Sequence, residues 1–349
     1  MNNAAARGGG GPLENPDGWR RLIEVNLMGV LHGVQAFAPA MIAQGRPGAI
    51  VNTGSKQGIT TPPGDTAYNV SKAGVKVLTE ALAHTLRSTP GCEVTAHLLI
   101  PGHTSRIEEY DGLVPALARR HRVLVLDFPG SGYAEKPERE YSLRLYEDVV
   151  LALLDALGIE RAHLAGGSLG GHLVLRLGRR APGRFERLLP WAPAGGASRR
   201  IAGGMRAIAG YGTFWPIVRI QSRYWYRADW PGREAALADT FAYYREVMGP
   251  GFVRMYFEMA ADQVARSLFP MAGEIHQPVW LGWGDQDHGA NMGAGVARLA
   301  ELLPRCELRV FPGARHSLAA EIPDELAAAL EEFLTRPEAA LPPRRVASR

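Results

Sequence analysis

The amino-acid sequence predicts an α/β fold in which a mostly parallel sheet carries helices on both faces. Two observations support this prediction. Short aliphatic runs that end in glycine or a turn alternate with longer helical stretches along most of the chain. Residues 195–273 interrupt the alternation with many aromatic side chains and no convincing strand, so we predict a helical insertion there.

The predicted elements follow one another in a regular order. The strands are 49–53, 94–100, 122–127, 162–165, 188–191, 279–283 and 307–311. The helices are 17–43, 67–87, 113–120, 142–157, 169–180 and 323–334. Ligands of open α/β sheets bind at the carboxyl ends of the strands, so we expect the insertion to cover a pocket there. Its aromatic rings either line this pocket or form the insertion's own core.

Composition limits the class of protein. The chain has 349 residues, of which 46% are hydrophobic, and this suffices for one large or two modest packed domains. It carries 39 basic and 35 acidic residues, and nearly all the basic ones are arginines. We attribute the basic excess to compositional bias and expect no nucleic-acid partner.

The cysteines and the apolar segments suggest a location. Cys92 and Cys306 lie far apart and each opens an apolar run, so we expect no disulfide and a reducing, cytoplasmic compartment. The N-terminus lacks a signal-peptide pattern, and no run reaches about 18 uninterrupted apolar residues, so no membrane partner is expected. We expect the tail, residues 336–349, to be disordered. The oligomeric state stays open.

A nucleophilic serine is indicated by the pattern G-x-S-x-G at residues 166–170. The pattern directly follows an apolar strand and directly precedes a helix. This context places Ser168 on a tight turn, where Gly166 and Gly170 keep side chains out of the space between strand and helix. The backbone N–H of Leu169, at the helix N-terminus, would then face a developing oxyanion.

Such a serine needs a base and an acid that orients the base. The strand 279–283 runs into Asp285 and Asp287, and the strand 307–311 runs into a loop that reaches His316. The pattern strand-G-D-x-D, followed by strand-x-P-G-x-x-H-S, resembles the acid and base motifs of the α/β-hydrolase family. The resemblance implies that Asp287, rather than Asp285, orients His316 as the base for Ser168.

Two upstream segments also resemble this family. Residues 127–132 resemble its D-x-P-G-x-G loop, and residues 97–104 resemble the loop that supplies a second oxyanion donor. The resemblance implies the N–H of His103 as that donor, although the family more often has His-Gly where this chain has Pro101-Gly102. It covers about residues 94–334, lacks the two antiparallel strands that usually come first, and implies no cofactor and no metal.

The first hundred residues carry a different set of motifs. They contain Asn2-Asn3-Ala4-Ala5, an isolated Asn26, Ser55 at the end of a strand, and Tyr68 four residues before Lys72. This set resembles the C-terminal part of a short-chain dehydrogenase/reductase and implies a Rossmann-like fragment. The glycine-rich turn that seats the dinucleotide is missing from the sequence, so we expect no NAD(P) cofactor and a vestigial site at Asn26, Ser55, Tyr68 and Lys72.

The two resemblances predict a reductase-like segment at 1–93 and a hydrolase domain at 94–335 with a cap at 195–273. They meet at residues 94–102, which fit either family. The function we favour is a serine hydrolase that cleaves carboxylic esters of small to medium hydrophobic substrates. Three alternatives stay open: hydrolysis of carbon–carbon bonds by the same triad, an NAD(P)-dependent oxidoreductase, and a non-catalytic fusion remnant.

Overall fold

The computed structural model describes residues 6–43, 50, 52, 64–87, 96–100, 102–195, 199–288 and 295–344. These residues fall into two compact units. The smaller unit comprises Met1–Thr95 and Ala118–Arg122, and the larger comprises Ala96–Leu117 and Val123–Arg349.

A six-stranded sheet forms the centre of the larger unit. Its spatial order is β2-β1-β3-β4-β5-β6, and the pairings β1–β3, β3–β4, β4–β5 and β5–β6 are all parallel. The strands are β1 Ala96–Ile100, β2 Arg122–Val125, β3 Ala162–Gly167, β4 Phe185–Trp191, β5 Val279–Gly284 and β6 Cys306–Phe311. Because the paired strands run in one direction, their carboxyl ends meet at one edge, where β3, β5 and β6 lead into the predicted motifs.

Helices cover both faces of this sheet, as the sequence predicts. They are α4 Val114–Leu117, α5 Leu143–Ala156, α6 Leu169–Arg180, α11 Gly295–Leu302, α12 Leu318–Glu321 and α13 Pro323–Thr335. Helix α6 packs on β1, β3 and β4, and most of its residues are buried. Ser142 caps α5 by accepting a hydrogen bond from the N–H of Leu145 at 3.2 Å, which satisfies one free donor of the first turn.

The segment between β4 and β5 is helical, as predicted. It contains α7 Arg199–Ala207, α8 Tyr211–Gln221, α9 Arg233–Val247 and α10 Pro250–Ala265, followed by a 3₁₀ turn at Phe269–Glu274. We call residues 199–265 the cap. Phe214, at its centre, makes edge-on contacts with Tyr244, Phe252 and Tyr256. These rings therefore form part of the cap's own core, the second of the two roles the sequence left open, and Tyr244 and Tyr256 also line the cavity described below.

The described part of the smaller unit is mainly helical. Its helices are α1 Pro16–Ile23, a π-helical turn Glu24–Met28, α2 Gly29–Ala43 and α3 Thr66–Arg87. Asn26 lies at the π turn and is fully buried. Its side-chain oxygen accepts a hydrogen bond from the Ala6 N–H, and its side-chain nitrogen donates to the Ala6 carbonyl and, at 3.1 Å, to Ser71 Oγ of α3. Asn26 therefore connects three segments of this unit.

One helical stretch, Pro16–Ala43, has the length and apolar composition of a membrane span, with a mean hydropathy of 1.3 in its most apolar window. About a fifth of that window, 22%, is buried inside the protein. Core helices of soluble proteins and N-terminal signal sequences satisfy the same criterion. The stretch is therefore weak evidence for a membrane, and the expected absence of a membrane partner stays a prediction.

The structure departs from the sequence prediction in several elements. Residues 336–344 are ordered rather than disordered, because Arg336 pairs with Glu307 at 2.5 Å and Leu341 is buried. The remaining tail residues, 345–349, lie outside the described residues. The predicted helix 113–120 shortens to Val114–Leu117, and the sequence prediction missed α11. The predicted strand 49–53 lies almost entirely outside the described residues.

Candidate active site

Ser168 lies on a strained turn between β3 and α6. Its backbone has φ 55° and ψ −117°, a conformation that residues with a side chain rarely adopt. The turn is held by its own backbone: the Ser168 N–H donates to the Trp191 carbonyl at 3.1 Å, and the Ser168 carbonyl accepts from His172 at 3.0 Å. Two hydrogen bonds from neighbouring elements thus fix a single orientation of the serine backbone.

Glycines allow β3 and α6 to approach each other this closely. A Cβ on Gly166 would lie 2.7 Å from the carbonyl oxygen of Ile100 and 2.8 Å from the backbone of Gly170, which is closer than real Cβ atoms approach. The glycine pattern that predicted the turn is therefore required by its packing.

His316 and Asp287 form a hydrogen-bonded pair after β6 and β5. The Nδ1 atom of His316 lies 2.8 Å from Asp287 Oδ2, and the Asp287 side chain is completely buried. An ionised carboxylate only accepts hydrogen bonds, so Nδ1 carries the proton and Nε2 is left free to act as a base. The structure thus brings together the two residues that the sequence proposed as acid and base.

Asp285, the alternative acid, has a structural role. Its Oδ1 accepts a hydrogen bond from the backbone N–H of Gly313 at 2.7 Å, and the residue is exposed. Gly313 has φ 74° and forms the turn that leads towards His316. Asp285 therefore anchors the histidine loop rather than the imidazole.

Glu321, which the sequence did not indicate, also holds the loop that carries His316. Its side chain is fully buried and accepts hydrogen bonds from the backbone N–H groups of Arg227 at 3.2 Å and Arg315 at 3.4 Å. Burial raises the pKa of Glu321, against the lowering effect of these donors and of the two arginine charges. One carboxyl group thus connects the cap, at Arg227, to the loop that carries His316.

We expect a pH profile that reflects the His316–Asp287 pair. Burial lowers the pKa of His316, but the charge and hydrogen bond of Asp287 outweigh it and raise the pKa above its ordinary value of 6.5. Only the neutral imidazole accepts a proton, so kcat/KM for a neutral ester should fall as the pH drops through this raised pKa. An NMR titration of the His316 ring should show the same pKa, and Asp287→Asn should lower it. An unchanged pKa in that variant would contradict the pairing.

The two proposed oxyanion donors belong to segments that adjoin Ser168. Leu169 is the first residue of α6, and its N–H, like that of His103, donates to no backbone acceptor in the described part of the chain. Gly102 holds the His103 loop close, because a Cβ on Gly102 would lie 3.5 Å from Ser168 Cβ. The imidazole of His103 packs on the ring of Tyr256, with 4.9 Å between ring centroids, and burial lowers its pKa to about 4. The His103 side chain is therefore a neutral part of the cavity wall, and the backbone N–H of His103 is the group proposed to bind the oxyanion.

Ser168 and His316 open into one cavity of about 560 Å³ beneath the cap. The sheet side contributes residues of the 102–110 segment, and every cap helix from α7 to α10 contributes at least one residue. Seven aromatic side chains line the cavity: Tyr110, Trp191, Tyr224, Trp225, Tyr226, Tyr244 and Tyr256. A pocket therefore lies beneath the insertion, as expected. Most of the aromatic rings that line the pocket are tyrosines, which carry a polar hydroxyl. Trp225 lines the cavity, whereas Trp215 packs edge-on against Phe214 and Phe241.

Of the residues predicted to form a vestigial reductase site, Tyr68 and Lys72 lie on α3 and Asn26 lies at the π turn of the smaller unit. Tyr68 and Lys72 are both buried, and Lys72 Nζ lies 5.8 Å from the centroid of the Tyr68 ring. They share one face of α3, as their four-residue spacing predicts. Asn26 donates a hydrogen bond to Ser71, which lies between Tyr68 and Lys72 in the sequence. Ser55 and the residues Asn2 to Ala5 lie outside the described residues.

Comparison with known proteins shows the family. Residues 98–321, well over half of the chain, match the model of the alpha/beta hydrolase fold family, and residues 1–107 match the short chain dehydrogenase model. The chain belongs to the alpha/beta hydrolase fold family and is a hydrolase, with a short-chain dehydrogenase segment at its N-terminus. It is 28% identical over 237 residues to a 2-hydroxymuconate semialdehyde hydrolase from Pseudomonas sp. (strain CF600), covering 65% of this chain and 81% of that protein.

Two solved structures share the fold. An enol-lactonase from Burkholderia xenovorans LB400 superimposes with a TM-score of 0.63 at 24% identity, covering 71% of this chain and 94% of that one. A 2-hydroxy-6-oxo-6-phenylhexa-2,4-dienoate hydrolase from Rhodococcus sp. strain RHA1 gives a TM-score of 0.56 at 22% identity, covering 70% and 92%. At these identities the likeness concerns the fold alone.

Proposed function

We propose that this protein is a serine hydrolase that cleaves carboxylic esters, with Ser168 as nucleophile, His316 as base and Asp287 as the acid that orients the base. The observation that carries the proposal is the 2.8 Å His316–Asp287 hydrogen bond, in a cavity that Ser168 also lines from a strained turn. A carboxylate, an imidazole and a hydroxyl in this order are the parts that acyl transfer needs.

The proposed reaction has two halves. Ser168 Oγ attacks the ester carbonyl carbon while His316 Nε2 accepts its proton, and Asp287 stabilises the resulting imidazolium. The N–H groups of Leu169 and His103 stabilise the oxyanion, and His316 then returns the proton to the departing alcohol. Water, deprotonated by His316, attacks the acyl-enzyme in the second half and releases the acid and free Ser168.

A carbon–carbon bond hydrolase is the second candidate, because the relative from Pseudomonas sp. (strain CF600) is named a 2-hydroxymuconate semialdehyde hydrolase. The same triad would serve a carbon leaving group, with the proton of His316 delivered to carbon. No lysine or arginine lines the cavity among the residues that the structure describes. This wall therefore offers no cationic side chain to a carboxylate substrate, which favours ester cleavage.

The proposal is tested with an activated short-chain aryl ester. Rapid mixing should give a burst of released phenol equal to the enzyme concentration, followed by slower turnover, because an acyl-enzyme accumulates. The 2-hydroxymuconate semialdehyde is assayed in parallel. Turnover of that compound without any turnover of esters would replace ester hydrolysis by the second candidate.

We expect the reductase-like segment to contribute nothing to this chemistry. Tyr68→Phe and Lys72→Met should leave kcat/KM for the aryl ester within a few-fold of the parent value, because neither residue lines the cavity. NADH and NADPH should leave the melting temperature unchanged. A ligand present at 100 times its Kd adds about 2.7 kcal/mol of stability, so a functional nucleotide site would give a clear shift. Such a shift would restore the oxidoreductase hypothesis.

A further inference from the structure

The cavity beneath the cap has acidic side chains in its wall. Glu108, Glu109 and Asp239 all line it. Arg106 contacts two of these carboxylates. Its guanidinium hydrogen-bonds to Asp239 and lies 3.9 Å from Glu108. Glu108 also holds the hydroxyl of Tyr133. Asp239 and Glu108 therefore each have Arg106 as an ion-pair partner, although Oε2 of Glu108 accepts no hydrogen bond from the described residues.

Glu109 is different, because it has no ion pair in the described part of the chain. Its Oε2 accepts a hydrogen bond from Ser105 Oγ at 2.8 Å. Ser105 in turn lies beside Gly102, since a Cβ there would come within 3.0 Å of Ser105 Oγ and 3.5 Å of Ser168 Cβ. Glu109 and Ser168 therefore line the same cavity, with Ser105 and Gly102 between them. Burial raises its pKa to about 7, against the lowering effects of Ser105 and Arg106.

The rest of the wall suits an organic cation. Rings of tyrosine and tryptophan surround the cavity, and aromatic faces attract ammonium groups strongly where water is excluded. Gln263 adds a separate feature: it is 7% exposed, lines the cavity, and its Nε2 has no protein acceptor. A buried donor without a partner is costly, and a substrate carbonyl or hydroxyl would satisfy it.

We propose that this cavity selects substrates that carry an alkylammonium group, and that Glu109 is the residue that determines this selectivity. The inference rests on the proposed ester hydrolysis and names the substrate class of the same site. The ammonium would contact the aromatic wall and the carboxylate of Glu109, while Gln263 binds a neutral acceptor elsewhere on the substrate. An anionic substrate would meet three carboxylates and, among the described lining residues, no lysine or arginine, and would be rejected.

The test compares aryl esters of equal size whose acyl chains end in trimethylammonium, tert-butyl or carboxylate. A second series carries the same three groups on the alcohol. Slightly alkaline pH keeps Glu109 ionised. In the parent protein kcat/KM should fall in the order trimethylammonium, tert-butyl, carboxylate in at least one series. Glu109→Gln, which retains an acceptor for Ser105, should reduce the trimethylammonium to tert-butyl ratio about tenfold.

Glu108→Gln is the matched control, since it removes an adjacent carboxylate that already has partners. It should change the ratio by less than about threefold. An unchanged ratio in Glu109→Gln in both series, or an equal effect of Glu108→Gln, would overturn the assignment to Glu109. If the parent cleaves no ester, the proposed function fails. Selectivity is then measured as calorimetric binding of the corresponding amides to Ser168→Ala, where the same tenfold effect of Glu109→Gln is expected.

Discussion

Replacement of Ser168 by alanine should reduce ester turnover by several orders of magnitude while leaving substrate binding nearly intact. The hydroxyl is the only protein group in the proposed mechanism that forms a bond to the acyl carbon, so its loss leaves only the oxyanion donors and positioning. Alanine fits the turn no worse than serine does, because the strained backbone angle is already borne by a residue with a Cβ. The measurement is kcat for the aryl ester, with circular dichroism to show that the variant folds.

Ser317→Ala is the matched control for this variant. Ser317 lines the same cavity and follows the proposed base directly, but it has no role in the mechanism. We expect its turnover to stay within about tenfold of the parent value. Comparable losses of turnover in the two variants would show that removing any serine hydroxyl from the cavity lowers activity. That result would contradict the assignment of Ser168 as the nucleophile.

Asp287→Asn should lower kcat by about three to four orders of magnitude. The amide can donate to Nδ1 of His316, and this stabilises the tautomer whose Nε2 carries a proton and therefore cannot act as a base. The imidazolium also loses its buried counter-charge, since the Asp287 side chain is fully buried. The loss should appear in kcat more than in KM, because substrate does not contact this residue.

Asp285→Asn provides the comparison within the same loop. Asp285 accepts a hydrogen bond from the Gly313 N–H, which the asparagine oxygen can still accept. We expect a change in kcat of less than about tenfold. A larger loss in Asp285→Asn than in Asp287→Asn would reverse the assignment of the acid.

Most of the order of elements and the candidate residues Ser168, Asp287 and His316 could be proposed from the sequence because local patterns indicate them. A glycine-flanked serine between an apolar strand and a helix has few other structural solutions, and Ser168 does adopt the strained turn. The choice of Asp287 over Asp285 came from family resemblance. The structure supplies the physical reason, since only Asp287 is buried and reaches His316.

The parts that could not be predicted depend on tertiary contacts. Glu109 lies in a four-residue 3₁₀ turn, Ile107–Tyr110, and nothing local indicates that it faces a cavity. Its one signal is the acidic pair Glu108-Glu109 shortly after the loop that contains His103. The tail was expected to be disordered from its prolines and arginines, but Arg305 binds Glu338 at 2.8 Å. Composition does not reveal such pairing.

Mapping of the residue that a fluorophosphonate modifies tests the central claim most directly. The reagent reacts only with a serine that has an activating base and oxyanion donors, so it reports on the assembled site without requiring the natural substrate. We predict a single modified peptide that contains Ser168, with no modification in Ser168→Ala and slow modification in Asp287→Asn. Modification of another serine, or none in folded protein, would contradict the proposed active site.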